Sequence, residues 1–543
     1  MKTRNLLSAV CYFQGMAGAR VFALLLALYV LTAAGYLAQG DDETMYRVTR
    51  NLATGAGLAI GRETLQLPVL AADNFLPTCP LGLDTTSAVA GTCGSELYSK
   101  YAPGQSLLAL PLWIAGHWLD ALWPQWPQLG PRLALTLLNP LALAATGWLM
   151  FQFGLELGYS PRLALAATLS FGLASMGWSY VNNFYPQPAT GFFLLLAAFA
   201  FYRWQKNPVA RWAWWQGAAL GAAILMRMTA AITVPGLAVA LLLATNTWPK
   251  RWSVAWRVGV GVAVAIALSL GYNWLRFGSP FDSGYYEVAW TTPPLLGLYG
   301  LLFSPGKSVF LYAPPLLLAA GAWPLFFKKQ RELALLIILW WLSYLACYSP
   351  YNFWTGGLNW GPRFLLPLLA VSLLPLPAIL SDAQSRLAWA LFTALFVAGV
   401  LIQLPAVVVD HVRYLELRRA TGNERFYDQT LYQPAFSPLA WQWSGAVEVF
   451  GAYLQADRRA AAAHTIQQME LPAADSDANR VSAQRVLQTE FIRLNLPALW
   501  WAHLPLWGVS PGVVAGLALP WLALLGWGAA GVCKICKRDG GNL

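Results

Sequence analysis

The chain has 543 residues, of which 57% are hydrophobic and only 11% charged, against about 25% charged residues in a soluble domain. Its mean hydropathy of +0.49 is gathered into blocks almost free of charge, which excludes a soluble globular protein. The net charge of +11 does not indicate nucleic acid, because the basic residues sit in short clusters between apolar blocks and no stacking platform accompanies them.

The apolar blocks include residues 20–38, 213–226, 258–270, 333–348 and 387–409. A helix rising about 1.5 Å per residue needs roughly 20 such residues to cross a hydrocarbon core of about 30 Å. Blocks approaching that length recur along most of the chain. The expectation is an all-α, polytopic integral membrane protein with about 12 transmembrane helices, carrying interfacial helices in its first external loop.

Taken in order, Lys2 and Arg4 precede a first block that ends at Gly40-Asp41-Asp42-Glu43. That block is long for a signal peptide and no small-x-small cleavage site follows, so it is read as an uncleaved span with the N-terminus in the cytoplasm. The loop from about 40 to 100 then lies outside, where an oxidising exterior would permit a Cys79–Cys93 disulfide. Residues 102–119, with Pro103, Pro111 and His117, are expected to lie in the outer interface. An odd number of crossings must separate the outer loop from Arg203, and 133–153, 163–180 and 189–202 supply them. Basic clusters at Arg203/Lys206/Arg211, Lys250/Arg251/Arg257, Lys328/Lys329/Arg331, Arg386 and Lys534/Lys537/Arg538 mark cytoplasmic returns. Between them lie a hairpin over 213–245 turning near Arg227, a pair over 258–327 joined by 277–306, and a pair over 333–380 joined by 350–363.

Three parts follow. Residues 1–409 form the transmembrane core, with a first external loop at about 40–130; 410–497 are an external polar segment; 498–543 hold the last helix and a cytoplasmic tail. The external segment has too few apolar residues to bury a large core. No internal repeat is visible, which removes one hallmark of secondary transporters.

Several polar features carry chemistry. The three consecutive carboxylates Asp41, Asp42 and Glu43 open an amphipathic stretch (Tyr46, Val48, Leu52) that reads as a surface helix. They serve either as a helix-terminal acidic patch or as a general base at the membrane surface. Lys100, in Tyr98-Ser99-Lys100-Tyr101-Ala102-Pro103-Gly104, sits at phosphate depth or acts as an interfacial anchor. Arg276 and Arg363 stand in outer loops rich in glycine, proline and aromatic residues, and Arg227 lies deeper, where an unpaired charge is costly. Pro305-Gly306-Lys307-Ser308 echoes a phosphate-binding loop but has Leu301 where that motif needs glycine. Cys533-x-x-Cys536 lacks a second ligand pair, and His117, His411, His464 and His503 show no ligand spacing, so neither a metal nor a nucleotide cofactor is indicated.

The order of these elements resembles the GT-C superfamily of membrane glycosyltransferases: a first span, an external Asp-Asp-Glu-x-x-Tyr, a Lys-Tyr-x-Pro-Gly element and many further spans. It is similar in particular to the bacterial relatives of protein O-mannosyltransferases and of the aminoarabinose transferase acting on lipid A. Arg276-Phe277-Gly278-x-Pro280, Leu302-Phe303-Ser304-Pro305-Gly306-Lys307 and Trp360-Gly361-Pro362-Arg363 resemble recurring elements of uncharacterised bacterial members. The resemblance covers roughly residues 19–409. It implies a sugar donor linked to a polyprenyl phosphate, an acceptor hydroxyl on a protein, lipid or glycan, inversion at the anomeric carbon, and an active site on the outer, periplasmic face of a bacterial inner membrane. It also implies Asp42 as the base with Asp41 and Glu43 beside it, and Lys100, more weakly Arg276 and Arg363, as donor-phosphate contacts. Ala102 stands where the family often has the first of two prolines. The competing readings are a lipid or polysaccharide transporter, with polar residues at mid-membrane depth, and a structural scaffold.

Overall fold

The computed structural model describes residues 2–37, 40–62, 75–77, 96–121, 123–244, 247–285, 289–381, 386–423, 425–469 and 477–540. Cys79 and Cys93 lie outside them. Among the described residues five helices are long and apolar enough to cross a membrane: Leu129–Glu156, Pro249–Phe277, Arg331–Tyr348, Arg386–Val408 and Pro511–Lys537. Shorter apolar helices cover Met16–Leu31, Met228–Ala244, Pro294–Phe303 and Arg363–Ser372. The expected count of about 12 is therefore not reached by length and composition.

Proline and buried polar groups account for much of the difference. The stretch 213–245 is a helix to Met226, a 3₁₀ turn at Met228–Ile232 and a second helix at Thr233–Ala244. After the long helix Trp248–Phe277, the chain continues in short helices Pro294–Phe303, Pro315–Gly321 and Trp323–Lys329, each with proline in its first turn. Residues 363–380 are likewise divided into Arg363–Leu368, Leu369–Ser372 and Leu376–Leu380. Nearly all of 363–380 is buried in protein, a setting in which irregular backbone is tolerated at membrane depth.

Glycines let the long helices touch. A Cβ on Gly261 would fall 2.3 Å from the carbonyl carbon of Gly217, and one on Gly221 would fall 2.5 Å from the Gly261 oxygen. Gly217-x-x-x-Gly221 is thus the small-residue face by which Ala210–Met226 packs on Trp248–Phe277. The first helix, α1 (Lys2–Leu31), meets the last, Pro511–Gly540, where Gly528 approaches the Leu24 backbone and Arg20 covers the Trp527 ring at 5.6 Å. The pair is antiparallel, since Arg20 also contacts Gly531, and this sets the start of α1 beside the end of the last helix.

Beyond α1 stand α2 (Gly40–Thr54), a small sheet, and α3 (Gly104–Asp120). The sheet departs from the all-helical expectation. Its strands β1 (Ala59–Arg62), β2 (Phe75–Pro77) and β3 (Glu96–Ser99) are antiparallel, with β3 central, and the register pairs Ala59 with Tyr98 and Phe75 with Ser99. Strands this short, containing Ala, Gly and Pro, give no alternating pattern to read. β3 delivers the chain directly to Lys100 and Tyr101.

The reading of α2 as a surface helix is corrected by its burial, which takes in every residue from Asp42 to Asn51. Its apolar side meets α3, where Ser106 Oγ donates to the Met45 carbonyl at 3.1 Å. Its polar side is covered by the helix Asp477–Asn495: Arg50 donates to Asn479 Oδ1 at 2.8 Å, to the Ala478 carbonyl at 3.2 Å and to Ser482 Oγ at 3.4 Å. The described part of 410–497 is chiefly helical; Arg493 and Asp410 pair within it at 3.1 Å, and Gln442 Nε2 ties it to the core by donating to the carbonyls of Val409 at 3.0 Å and Pro405 at 3.3 Å.

Candidate active site

The carboxylate triplet occupies the first turn of α2, where unpaired backbone N–H groups favour negative charge. Successive helical residues point about 100° apart, so the three side chains part company at once. Glu43 turns inward. Its carboxylate accepts from Arg47 Nε at 2.8 Å and forms an ion pair with Arg132 at 2.7 Å, all three side chains being almost fully buried. Burial alone would raise the Glu43 pKa, but Arg132 and Arg47 outweigh it and hold the carboxyl below its ordinary value. Arg132 in turn lies 4.3 Å over the Tyr46 ring and donates to Ser482 Oγ at 3.2 Å. Glu43 is thereby a fixed strut between α2, the Leu129–Leu135 helix and the Asp477–Asn495 helix.

Asp42 is 0% exposed and close enough to Tyr185 to act on its phenol. Asp41 keeps 18% of its side chain accessible and pairs with Arg363 at 3.4 Å. Tyr101, arriving from β3, shares a side-chain hydrogen bond with Asp41, and burial first, then the Asp41 charge, raise its phenol well above the ordinary range. It stays protonated and donates. The protein therefore presents one carboxylate of the three to the open side, with a phenol and a guanidinium upon it.

Arg363 reaches this point from a loop shaped for it. Gly356, Gly357 and Gly361 have φ of 70°, 80° and 65°, a left-handed conformation that other residues resist. A Cβ on Gly356 would sit 2.7 Å from Arg363 Cγ. The guanidinium rests against Tyr185 at 4.9 Å, Phe364 at 5.2 Å and Phe353 at 5.9 Å. Its Nε is buried with no acceptor among the described residues.

Two further cations approach the same place. Arg227, at the break between its two helices, lies 4.8 Å over Phe364 and donates from Nε to Thr229 Oγ1 at 3.0 Å and Tyr348 at 3.3 Å. No carboxylate among the described residues pairs with it. Lys100 Nζ stands 5.6 Å from the Tyr285 ring and 5.9 Å from that of Tyr101. Arg276 has another part. It is 3% exposed and donates to the carbonyls of Ser99 and Tyr101, the latter at 3.3 Å, and to Asn273 Oδ1 at 2.6 Å. It thus fixes the backbone on either side of Lys100.

Of the residues named from sequence, Asp41, Arg363, Lys100 and Arg276 gather in one region, with Arg227 beside them. Asp42 stands behind Asp41, and Glu43 faces the strut. Tyr101 reads from sequence first as an interfacial anchor, and Tyr185 carries no sequence signal of its own. Only the distant partners Asp41 and Arg363 reveal their place. Among the described residues no group of His, Cys, Asp and Glu could hold a metal ion.

No family model matches the chain, and neither does any curated protein. Among solved structures it is similar to ArnT from Cupriavidus metallidurans bound to undecaprenyl phosphate, at 14% identity and a TM-score of 0.45, covering 91% of this chain and 77% of that one. It is similar also to the Archaeoglobus fulgidus oligosaccharyltransferase in complex with zinc and sulfate, at 14% identity and a TM-score of 0.47, covering 78% of this chain and 58% of that one.

Proposed function

We propose that the protein is a membrane glycosyltransferase that moves a sugar from a polyprenyl-phosphate donor to an acceptor hydroxyl at the outer membrane boundary, with inversion. The observation that carries this reading is the Asp41–Arg363 pair, flanked by Tyr101, Lys100 and Arg227. A carboxylate with several cations at one membrane-boundary site suits this chemistry. The acceptor hydroxyl attacks the anomeric carbon, its proton passes to the carboxylate, and the sugar–phosphate C–O bond breaks with its electron pair leaving on polyprenyl phosphate. The leaving phosphate is a weak base and needs no acid to protonate it, only cations for its growing charge.

Within this reading Asp41 serves as the base in preference to Asp42, since a base must meet its substrate and Asp42 has no accessible surface. Arg363, whose side chain stays 11% accessible, and Lys100 and Arg227 contact the donor phosphate. When phosphate takes Arg363, Asp41 is released from its ion pair to accept the proton. Arg276 acts one step back, by holding the Ser99–Tyr101 backbone. The sugar and the acceptor, whether protein, lipid or glycan, are for the assay to supply.

The test is transfer from synthetic polyprenyl-phosphate sugars by the purified chain in lipid, followed through the released polyprenyl phosphate. Wild type should release it, and Asp41→Asn and Arg363→Ala should not. Full turnover by Asp41→Asn would remove that residue as the base. A wild type inert with every donor, in membranes that supply acceptors, would remove the reading.

A further inference from the structure

We propose that Lys307 is a positioning residue for this transfer: its ammonium, sunk beneath the 356–363 loop, holds the backbone that presents Arg363. The proposal rests on the reading of Arg363 as a phosphate contact. Lys307 is 4% exposed and its ammonium is taken up by three backbone carbonyls, so it is not itself a catalytic residue. It comes from the Pro305-Gly306-Lys307-Ser308 corner, whose likeness to a phosphate-binding loop fails at Leu301.

The geometry is a tripod. Lys307 Nζ donates to the carbonyls of Gly357 at 2.9 Å, Asn359 at 2.5 Å and Gly361 at 3.3 Å. An ammonium has three donors and no acceptor, and here all three are spent on a single loop. No carboxylate among the described residues pairs with it, so this cation is bound wholly by backbone. The left-handed glycines at 356, 357 and 361 curl the loop so that those carbonyls converge. Asn359 Nδ2 closes the curl by donating to the Gly356 carbonyl at 2.5 Å. Arg363 follows Gly361 by two residues, and its stem lies against Gly356. Trp360 anchors the middle of the loop, its Nε1 donating to Gln403 at 2.9 Å and its carbonyl accepting from Tyr180 at 3.1 Å. The glycine backbone on either side still has much conformational freedom to lose, and there Lys307 gathers the carbonyls.

The corner that carries Lys307 is itself braced. Gly306 N donates to the Leu431 carbonyl at 3.1 Å, and Ser437 Oγ donates to the Pro305 carbonyl at 2.8 Å. The Phe426–Tyr432 helix and its neighbour thus support the corner, the corner supports the loop, and the loop presents Arg363 to Asp41. This gives part of the 410–497 segment a bearing on the site without any contact to substrate.

The experiment uses the full chain in lipid and the variant Lys307→Met, which keeps the stem and removes the ammonium. Amide hydrogen exchange over 355–363 should quicken in the variant while exchange in the remaining helices stays as in wild type. With a polyprenyl-phosphate sugar as donor, kcat/KM should fall about 10- to 100-fold, the cost of misplacing a group by about an ångström. In Arg363→Ala the same change should cost nothing further, because Lys307 acts through Arg363. Unchanged exchange, unchanged kinetics, or losses that multiply in the double variant would each overturn the proposal. If Lys307→Met is not recovered folded, Lys307→Arg takes its place, since a planar guanidinium cannot meet three converging carbonyls and the same losses are expected. A wild type without transfer activity would sink the glycosyltransferase reading alone. Exchange at 355–363 would still decide whether Lys307 holds the loop.

Discussion

Replacing Glu43 by Gln should damage stability, whereas replacing Asp41 by Asn should damage turnover, although the two residues are separated by one position. Glu43 pairs with two buried guanidinium groups, Arg47 at 2.8 Å and Arg132 at 2.7 Å, with side chains 0% and 5% exposed. Removing one partner of a buried ion pair costs about 3–5 kcal/mol, because the remaining charge stays buried and uncompensated. Against a total stability of about 5–15 kcal/mol for a domain, that is a large fraction. Asp41 makes a longer, partly accessible contact at 3.4 Å, and Arg363 keeps three aromatic faces after its loss. The cost of Asp41→Asn should therefore be about 1–2 kcal/mol. Loss of a general base, on the other hand, removes about 10²- to 10⁴-fold of rate. Thermal unfolding of both purified variants, followed by tryptophan emission, and release of polyprenyl phosphate give the two readouts. Glu43→Gln melting with wild type, or Asp41→Asn turning over with it, would refute the division of labour.

Three further outcomes follow from the same geometry. The depressed Glu43 pKa means that its charged form stabilises the fold fully above the ordinary carboxyl value of 4.5 and that this contribution is lost as pH falls through the folded pKa; unfolding measured from neutral down to about pH 3 should show a steeper acid loss in wild type than in Glu43→Gln. Gly356→Ala must hold an alanine at a φ of 70° with its Cβ 2.7 Å from Arg363 Cγ; we expect a stability loss of about 1–2 kcal/mol and a larger fall in turnover, and an alanine variant of full activity would argue against the loop's role. Gly261→Val should force apart the Ala210–Met226 and Trp248–Phe277 helices at a cost of about 1–3 kcal/mol or more, read as a lower melting temperature in detergent, and an unchanged melting temperature would contradict the glycine contact.

The membrane class was legible because it is a property of composition: long apolar blocks report themselves without any knowledge of neighbours. The span count was not, because it depends on breaks. Pro294, Pro315 and Pro324 each start a new short helix, and hydropathy alone sums across them. The mistaken surface position of α2 has a similar cause. Tyr46, Val48 and Leu52 gave one apolar stripe, and Arg47 and Arg50 made the rest look solvated. Their partners at Arg50 are Ala478, Asn479 and Ser482, more than four hundred positions away, and a buried polar contact of that range leaves no local pattern. Lys307 is equally silent: its likeness to a phosphate-binding loop fails at Leu301, and a lysine bound by carbonyls alone has no partner residue type to look for.

The site itself was legible to the level of the cluster and no further. Motif order brought Asp41, Asp42, Glu43, Lys100, Arg276 and Arg363 into view together, but the choice among adjacent carboxylates is a question of helical phase. A rotation of about 100° per residue sends neighbouring side chains to different surroundings, and only tertiary neighbours say which surroundings are open. Here Arg132 claims Glu43 and Arg363 meets Asp41. The same two contacts account for two of the three acids: Glu43 pairs with the buried Arg47 and Arg132, and that strut fixes the rotation of α2 that turns Asp41 outward. If so, the structural carboxylate and the proposed base are coupled in one direction only. Damage to the strut should reach turnover through a misplaced Asp41, whereas removal of Asp41 should leave the strut's own contacts intact and lower the melting temperature much less than Glu43→Gln does.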